Sequence, residues 1–119
     1  MRPLVHPAPD AITVEGVLHA LADPVRAAIF MQIAASECAP TCSEFLHLNE
    51  RGIPKSTLSQ HFRVLREAGL IRSVRHGVEM QNSSRCAELE QRFPGLVRSI
   101  VRAHQVQSGG RRRAAPRAA

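Results

Sequence analysis

Apolar residues recur at helical spacing in several stretches of this chain and at strand spacing in one. Val14, Val17, Leu18 and Leu21 stand at i, i+3, i+4 and i+7 and predict an amphipathic helix from about Thr13. It stops at Ala-Asp-Pro. Asp23 is a natural N-cap and Pro24 suits the first helical position, so a second helix follows to about Ser36 and buries Val25, Ile29 and Ile33. Thr41-Cys-Ser-Glu44 has the form of a capping box and opens a short helix with Phe45, Leu46 and Leu48. Gly52 and Pro54 make Asn49–Pro54 a turn.

The next stretch, KSTLSQHFRVLREAGL, spans Lys55 to Leu70. Leu58, Phe62 and Leu65 form one apolar stripe, and Ser56, Gln60, Arg63 and Glu67 fall opposite it. After Gly69 the period shortens to roughly two. Residues 70–75, then His76-Gly77, then residues 78–82 read as a β-hairpin, with His76 and Gly77 in the first and second loop positions. A last helix runs from about Pro94 to Gln107, with Leu96, Val97, Ile100, Val101 and His104 on its apolar stripe. Ser108-Gly109-Gly110 is expected to break it.

These elements predict a mainly α domain with a small β-hairpin. Residues 1–12 hold three prolines between positions 1 and 10 and read as an extended N-terminal arm. Residues 13–108 are the folded domain, and residues 109–119 an Arg-rich, disordered tail. With four Phe and no Trp or Tyr among 119 residues, the core must be built from aliphatic side chains.

Charge is distributed unevenly. Residues 1–50 carry two Arg against six acids, and residues 51–110 carry ten basic residues against four acids. Residues 111–119 add four Arg and no acid. An acidic half followed by a basic half points to a polyanion partner for the basic half. A solvated basic face is the plain alternative. The longest apolar run near the start, Ala27–Met31, is too short for a signal segment or a membrane span, so a cytoplasmic protein with reduced thiols and no membrane partner is expected.

Helix, turn, helix and hairpin is the order of a winged helix-turn-helix, whose second helix lays its front edge in the major groove of double-stranded DNA. Short side chains suit that edge, because long ones would hold the helix away from the bases. Gln60 can pair with adenine, while Ser56, Thr57 and Ser59 suit bases or phosphates. Lys55 and Arg63 neutralise phosphates, and the hairpin brings Arg72, Arg75 and His76 beside them.

The runs LADPVRAAIF and KSTLSQHFRVLREAGLIRSVRHG resemble the ArsR family of bacterial winged-helix repressors, over roughly residues 13–105. The resemblance implies a homodimer whose first and last helices form the interface, here Val14, Leu18, Leu96, Val97, Ile100 and Val101. It also implies a repressor bound to a palindromic operator and released by an effector. Pro54 stands where the family often has a Ser N-cap, and the Arg-rich tail is outside the family pattern.

Some of the family's metal sensors carry a Cys-x-Cys pair before the recognition helix, and only Cys42 falls there. Cys38, Cys42 and Cys86 are nonetheless candidate thiols for a soft metal or a redox signal. Their spacing is not the family's, and free cysteines often only pack. No metal site is therefore assigned, no cofactor is required, and a metal or redox effector stays open. His19 and His104 read as partly exposed helix residues before they read as an intersubunit site, and His61 as a packing or phosphate-facing residue.

The leading expectation is a sequence-specific transcriptional regulator. A non-specific DNA-coating protein and a winged-helix module for protein contacts are the rivals. Deleting the tail separates coating from specific binding through the salt slope. No nucleophilic triad, phosphate loop or carboxylate pair supports an enzyme.

Overall fold

A computed structural model describes residue 4 and residues 6–35 and 53–114, with side chains through residue 109. The elements are α1 (Val14–Leu21), α2 (Pro24–Ala35), α3 (Lys55–Glu67), β1 (Ile71–His76), β2 (Glu79–Ser84), α4 (Cys86–Arg92) and α5 (Leu96–Ala114). A 3-10 turn, Pro9–Ala11, precedes α1. The expected helix over Thr41–Leu48 and residues 49–52 of the turn lie outside the described residues.

Local chemistry sets the first two helices. Thr13 Oγ1 accepts the Gly16 N–H at 3.0 Å and caps α1. Asp23 Oδ1 accepts the N–H groups of Val25 and Arg26 at 2.8 and 3.1 Å and caps α2. Burial alone would raise the Asp23 carboxyl. The two N–H donors and the charges of Arg26 and His61 bring it below its ordinary value. Arg26 also donates from Nε to the Ala20 carbonyl and from Nη2 to the His19 carbonyl, covering the exposed carbonyls at the end of α1. The two helices meet at 104°.

The core takes Val17, Ala20 and Leu21 from α1, and Ala27, Ile29, Phe30 and Ile33 from α2. From α3 it takes Leu58, Phe62 and Leu65, the stripe read from the sequence. Leu70, Ile71, Leu89 and Val97 complete it with Ile12. Val25 is half-buried, since α2 turns Ala27 and Phe30 inward as well as Ile29 and Ile33. Ile12 belongs to this core, so the N-terminal arm is docked along its second half.

α3 ends in a left-handed glycine. Gly69 has φ +86°, its N–H donates to the Arg66 carbonyl, and the Leu70 N–H reaches the Leu65 carbonyl, both at 3.0 Å. Leu65 and Leu70, the apolar pair that accompanies this cap, are both fully buried.

The hairpin is antiparallel, with Ile71 opposite Ser84, Ser73 opposite Asn82 and His76 opposite Glu79. The loop is therefore Gly77-Val78, one residue later than expected, with Gly77 first (φ +62°). This frame turns Ile71, Ser73 and Asn82 inward; a shift of one would expose them. β2 also runs two residues further than expected, to Ser84, and packs on α2.

Two differences concern the C-terminal part. α4 lies between hairpin and last helix and was not expected. α5 begins at Leu96 and passes through Ser108-Gly109-Gly110 to Ala114. Each glycine costs a helix only about 1 kcal/mol relative to Ala, which weakens it without ending it. The last described residues of the Arg-rich stretch are thus helical, and residues 115–119 lie outside the described residues.

A Cβ on Gly69 would stand 2.5 Å from Ile12 Cγ1 and would also meet the positive φ. Gly69→Ala is expected to cost about 2–4 kcal/mol of unfolding free energy, the sum of left-handed strain and overpacking. Urea titration of the two proteins checks this; a loss below about 1 kcal/mol would show that the junction relaxes freely.

Candidate nucleic-acid interface

Recognition of DNA by a helix needs an exposed polar edge on a helix held from behind. α3 supplies both. Lys55, Ser56, Thr57, Ser59, Gln60 and Arg63 are all exposed, while Leu58, Phe62 and Leu65 anchor the opposite side. The N-cap of α3 is Pro54, which makes no side-chain cap hydrogen bond. The first intrahelical bond runs from the Leu58 N–H to the Pro54 carbonyl. Among the described residues no side chain caps the first-turn N–H groups, and the helix start is exposed, where the helix dipole favours an anion.

Arg63 lies on this edge but is engaged, its Nε donating to Glu67 Oε2 at 3.1 Å one turn on. Both side chains are well exposed, so the pair is weak and exchangeable for a phosphate.

Gly69 and Leu70 carry the chain directly from α3 into the hairpin. Arg72, Arg75 and His76 are exposed on β1. Arg72 meets Glu88 Oε2 at 3.5 Å, so its charge is shared, whereas no ion pair holds Arg75 among the described residues. Val78 at the tip is 96% exposed.

The root of the hairpin is held by buried polar groups that the sequence reading did not single out. Ser73 Oγ donates to Asn82 Oδ1 at 2.5 Å across the strand pair, and both residues are buried. Arg66 Nη1 approaches Ser73 Oγ from α3 at 3.4 Å. Arg85 is buried and makes a two-point contact from Nε and Nη2 to the Glu88 carboxylate, at 2.8 and 3.1 Å. That hydrogen bonding, with the nearby Arg72, holds the Glu88 carboxyl below its ordinary value against the opposing effect of burial. His6 joins this group through the Ser73 N–H. Alternating polarity was the only sequence signal for Ser73 and Asn82; nothing local marked His6.

The remaining candidates sit elsewhere. Leu18 is 49% exposed on α1 and Val14 is half-buried. On α5, Leu96, Ile100 and Val101 are half-buried, while Val97 is taken into the chain's own core. Cys86 is half-buried in an open groove of about 620 Å³ with Ala34, Glu90, Val97 and Val101. Cys38 and Cys42 lie outside the described residues. Among the described residues no three His, Cys, Asp or Glu side chains gather as a metal site would need.

A braced helix with an open polar front, followed by a two-stranded wing, makes this a winged helix-turn-helix protein. A helix-turn-helix domain model matches residues 21–74, from the end of α1 to the middle of β1. The HTH-type transcriptional repressor SmtB of Mycobacterium tuberculosis, in two strains, is 37% identical over 65 residues, which is 54% of this chain. The chain spans 44% of the length of those relatives. An ArsR-like transcriptional regulator from Rhodococcus sp. RHA1 superposes with a TM-score of 0.56 at 22% identity, over 86% of each chain. A second ArsR family transcriptional regulator gives 0.58 at 18% identity, over 87% of this chain and 97% of its own. These two show the fold. The domain model marks a helix-turn-helix over residues 21–74, the repressor relatives are similar over 65 residues, and the two solved structures share the winged-helix fold.

Asn82→Ala removes the acceptor of a buried hydroxyl and leaves a gap behind β2. It is expected to cost about 1–3 kcal/mol, measured by thermal unfolding at neutral pH. An unchanged midpoint would mean that Ser73 finds another partner.

Proposed function

We propose that this chain acts in the cytoplasm as a homodimeric transcriptional repressor that binds a palindromic operator through α3 and the wing and is released by an effector. The observation that carries the reading is the start of α3. Its first turn, which no described side chain caps, is exposed together with Lys55 and the short polar side chains, while Leu58, Phe62 and Leu65 behind them are buried. A helix built for packing alone would have no use for that front.

In this reading open N–H groups and Lys55 hold phosphates, and Ser56, Thr57, Ser59 and Gln60 meet base edges. Arg75 and His76 extend the basic surface toward the adjoining backbone. Arg63 and Arg72 give up exposed carboxylate partners for phosphates. No cofactor is required for these steps. Two recognition helices related by a two-fold axis would enter successive major grooves about 34 Å apart.

Support for the dimer comes from α1 and α5. Leu18 is 49% exposed and Val106 64% exposed, which is a poor use of large apolar side chains in a monomer. Leu18→Asp is expected to give a monomer of unchanged helical content. Light scattering with circular dichroism checks it, and a folded dimer would remove Leu18 from the interface.

Selection of bound DNA from a random pool tests the reading as a whole. An imperfect palindrome with half-sites one turn apart is expected; no enriched motif would favour the coating or protein-contact alternatives. On the selected site, Gln60→Ala is expected to weaken binding by about 1–3 kcal/mol and blur one base preference. An equal loss on all sequences would assign Gln60 to the backbone instead.

A further inference from the structure

The outer edge of the wing is held by a side chain from the far end of the chain. With His76 opposite Glu79 across a two-residue loop, ladder bonds fall on alternate pairs, so the Ser73 N–H points away from β2. It donates to His6 Nε2 at 3.0 Å, across 67 residues of sequence. Ser73 is only 2% exposed, so water does not replace this acceptor.

The segment that carries His6 is fixed further along. Ile12 sits in the core against Gly69, and Arg92 on α4 reaches the carbonyls of Ile12 and Asp10 at 3.3 Å each. The arm thus spans α4, the α3–wing junction and the edge of β1. An imidazole that accepts at Nε2 is neutral, with its proton on Nδ1. Among the described residues, the charged groups that act on it are arginines: Arg72 on β1, Arg66 on α3, and Arg85 between β2 and α4. Glu88 is already bonded to Arg85 and Arg72.

We propose that neutral His6 is a positioning residue for DNA binding, clamping the edge of β1 so that the wing keeps a fixed angle to α3, and that protonation opens the clamp. The proposal rests on the reading of the hairpin as a DNA-contacting wing. Protonation removes the Nε2 acceptor, orphans a buried N–H and sets a fourth cation among three arginines. Burial first, then the charges of Arg72, Arg66 and Arg85, holds the imidazole below its ordinary value of 6.5. The sign follows. The unfolded chain takes up this proton at higher pH than the clamped one, so the clamp is fully favoured above 6.5 and loses ground as pH falls below it.

The test therefore compares the natural protein with His6→Gln, whose amide oxygen accepts the same bond and does not titrate, and with His6→Ala, which has no acceptor. Two readouts are taken on the full chain from about pH 5 to 8. Exchange of the Ser73 amide in the free protein, corrected for its intrinsic rate, reports the clamp itself. Fluorescence anisotropy on the selected duplex, at fixed salt, reports binding. Ser73 protection in the natural protein is expected to fall about tenfold more than in His6→Gln on acidification, and its Kd to weaken by about as much relative to that variant. His6→Ala should lack protection at every pH. Equal Ser73 protection in the natural protein and His6→Gln throughout would overturn the clamp. A responsive Ser73 with an unchanged Kd ratio would overturn its role in positioning the wing. Should no duplex bind at any pH, the DNA-binding reading fails and takes the positioning role with it, while Ser73 exchange still decides whether the clamp exists.

Discussion

The close approach of Gly69 to Ile12 is the constraint on which the arrangement depends. At this point α3 must end, the wing must begin and the N-terminal segment must pass over both. Only a residue without a side chain fits, since a Cβ would lie 2.5 Å from Ile12 and the backbone is left-handed. Leu65, Leu70 and Ile12 lie in one buried cluster, so α3, the hairpin and the N-terminal segment share one patch of core. Their relative angles are set by packing rather than by surface contacts, and packed cores deform little.

Around that patch the protein uses polar groups where a simpler design would use aliphatic ones. Ser73, Asn82 and Arg85 are buried beside the apolar core. Each such group is costly unless its partners are in place, and the partners come from different elements: α3, both strands, α4 and the arm. The cost falls on any arrangement that separates those elements. A two-stranded hairpin is marginal by itself. Here its root gains definition from hydrogen bonds, while its outer half carries exposed basic residues.

What the sequence made legible follows the range of the interactions. The stripe and polar front of α3 could be read in full, because a thirteen-residue helix repeats its own period several times. The caps at Thr13 and Asp23 depend on neighbours two and three residues away. α4 is not legible in the sequence, because seven residues with Leu89 as the one fully buried position display no period. The hairpin loop was displaced by one residue because His-Gly and Gly-Val are both workable turns, and burial of Ser73 with Asn82 decided between them. Gly109 and Gly110 read locally as the end of α5, although glycine carries only a modest cost within a helix. His6 lay beyond any local signal, since its partner is 67 residues distant.

The division of the hairpin into a buried root and an exposed outer half makes it a lever. Ser73 is the last buried residue of β1 before the tip, and Gly77 lies four positions further on. At about 3.3 Å per residue that arm is roughly 13 Å long, so a tilt of about 10° at the root moves the tip by about 2 Å. A displacement of that size carries an arginine out of hydrogen-bond range of a phosphate. Small rearrangements among Ser73, Asn82 and Arg66 are thus geared up before they reach the tip, and under the proposed DNA-binding reading a ligand or modification acting at the root would not need to move α3 to change the grip on a site.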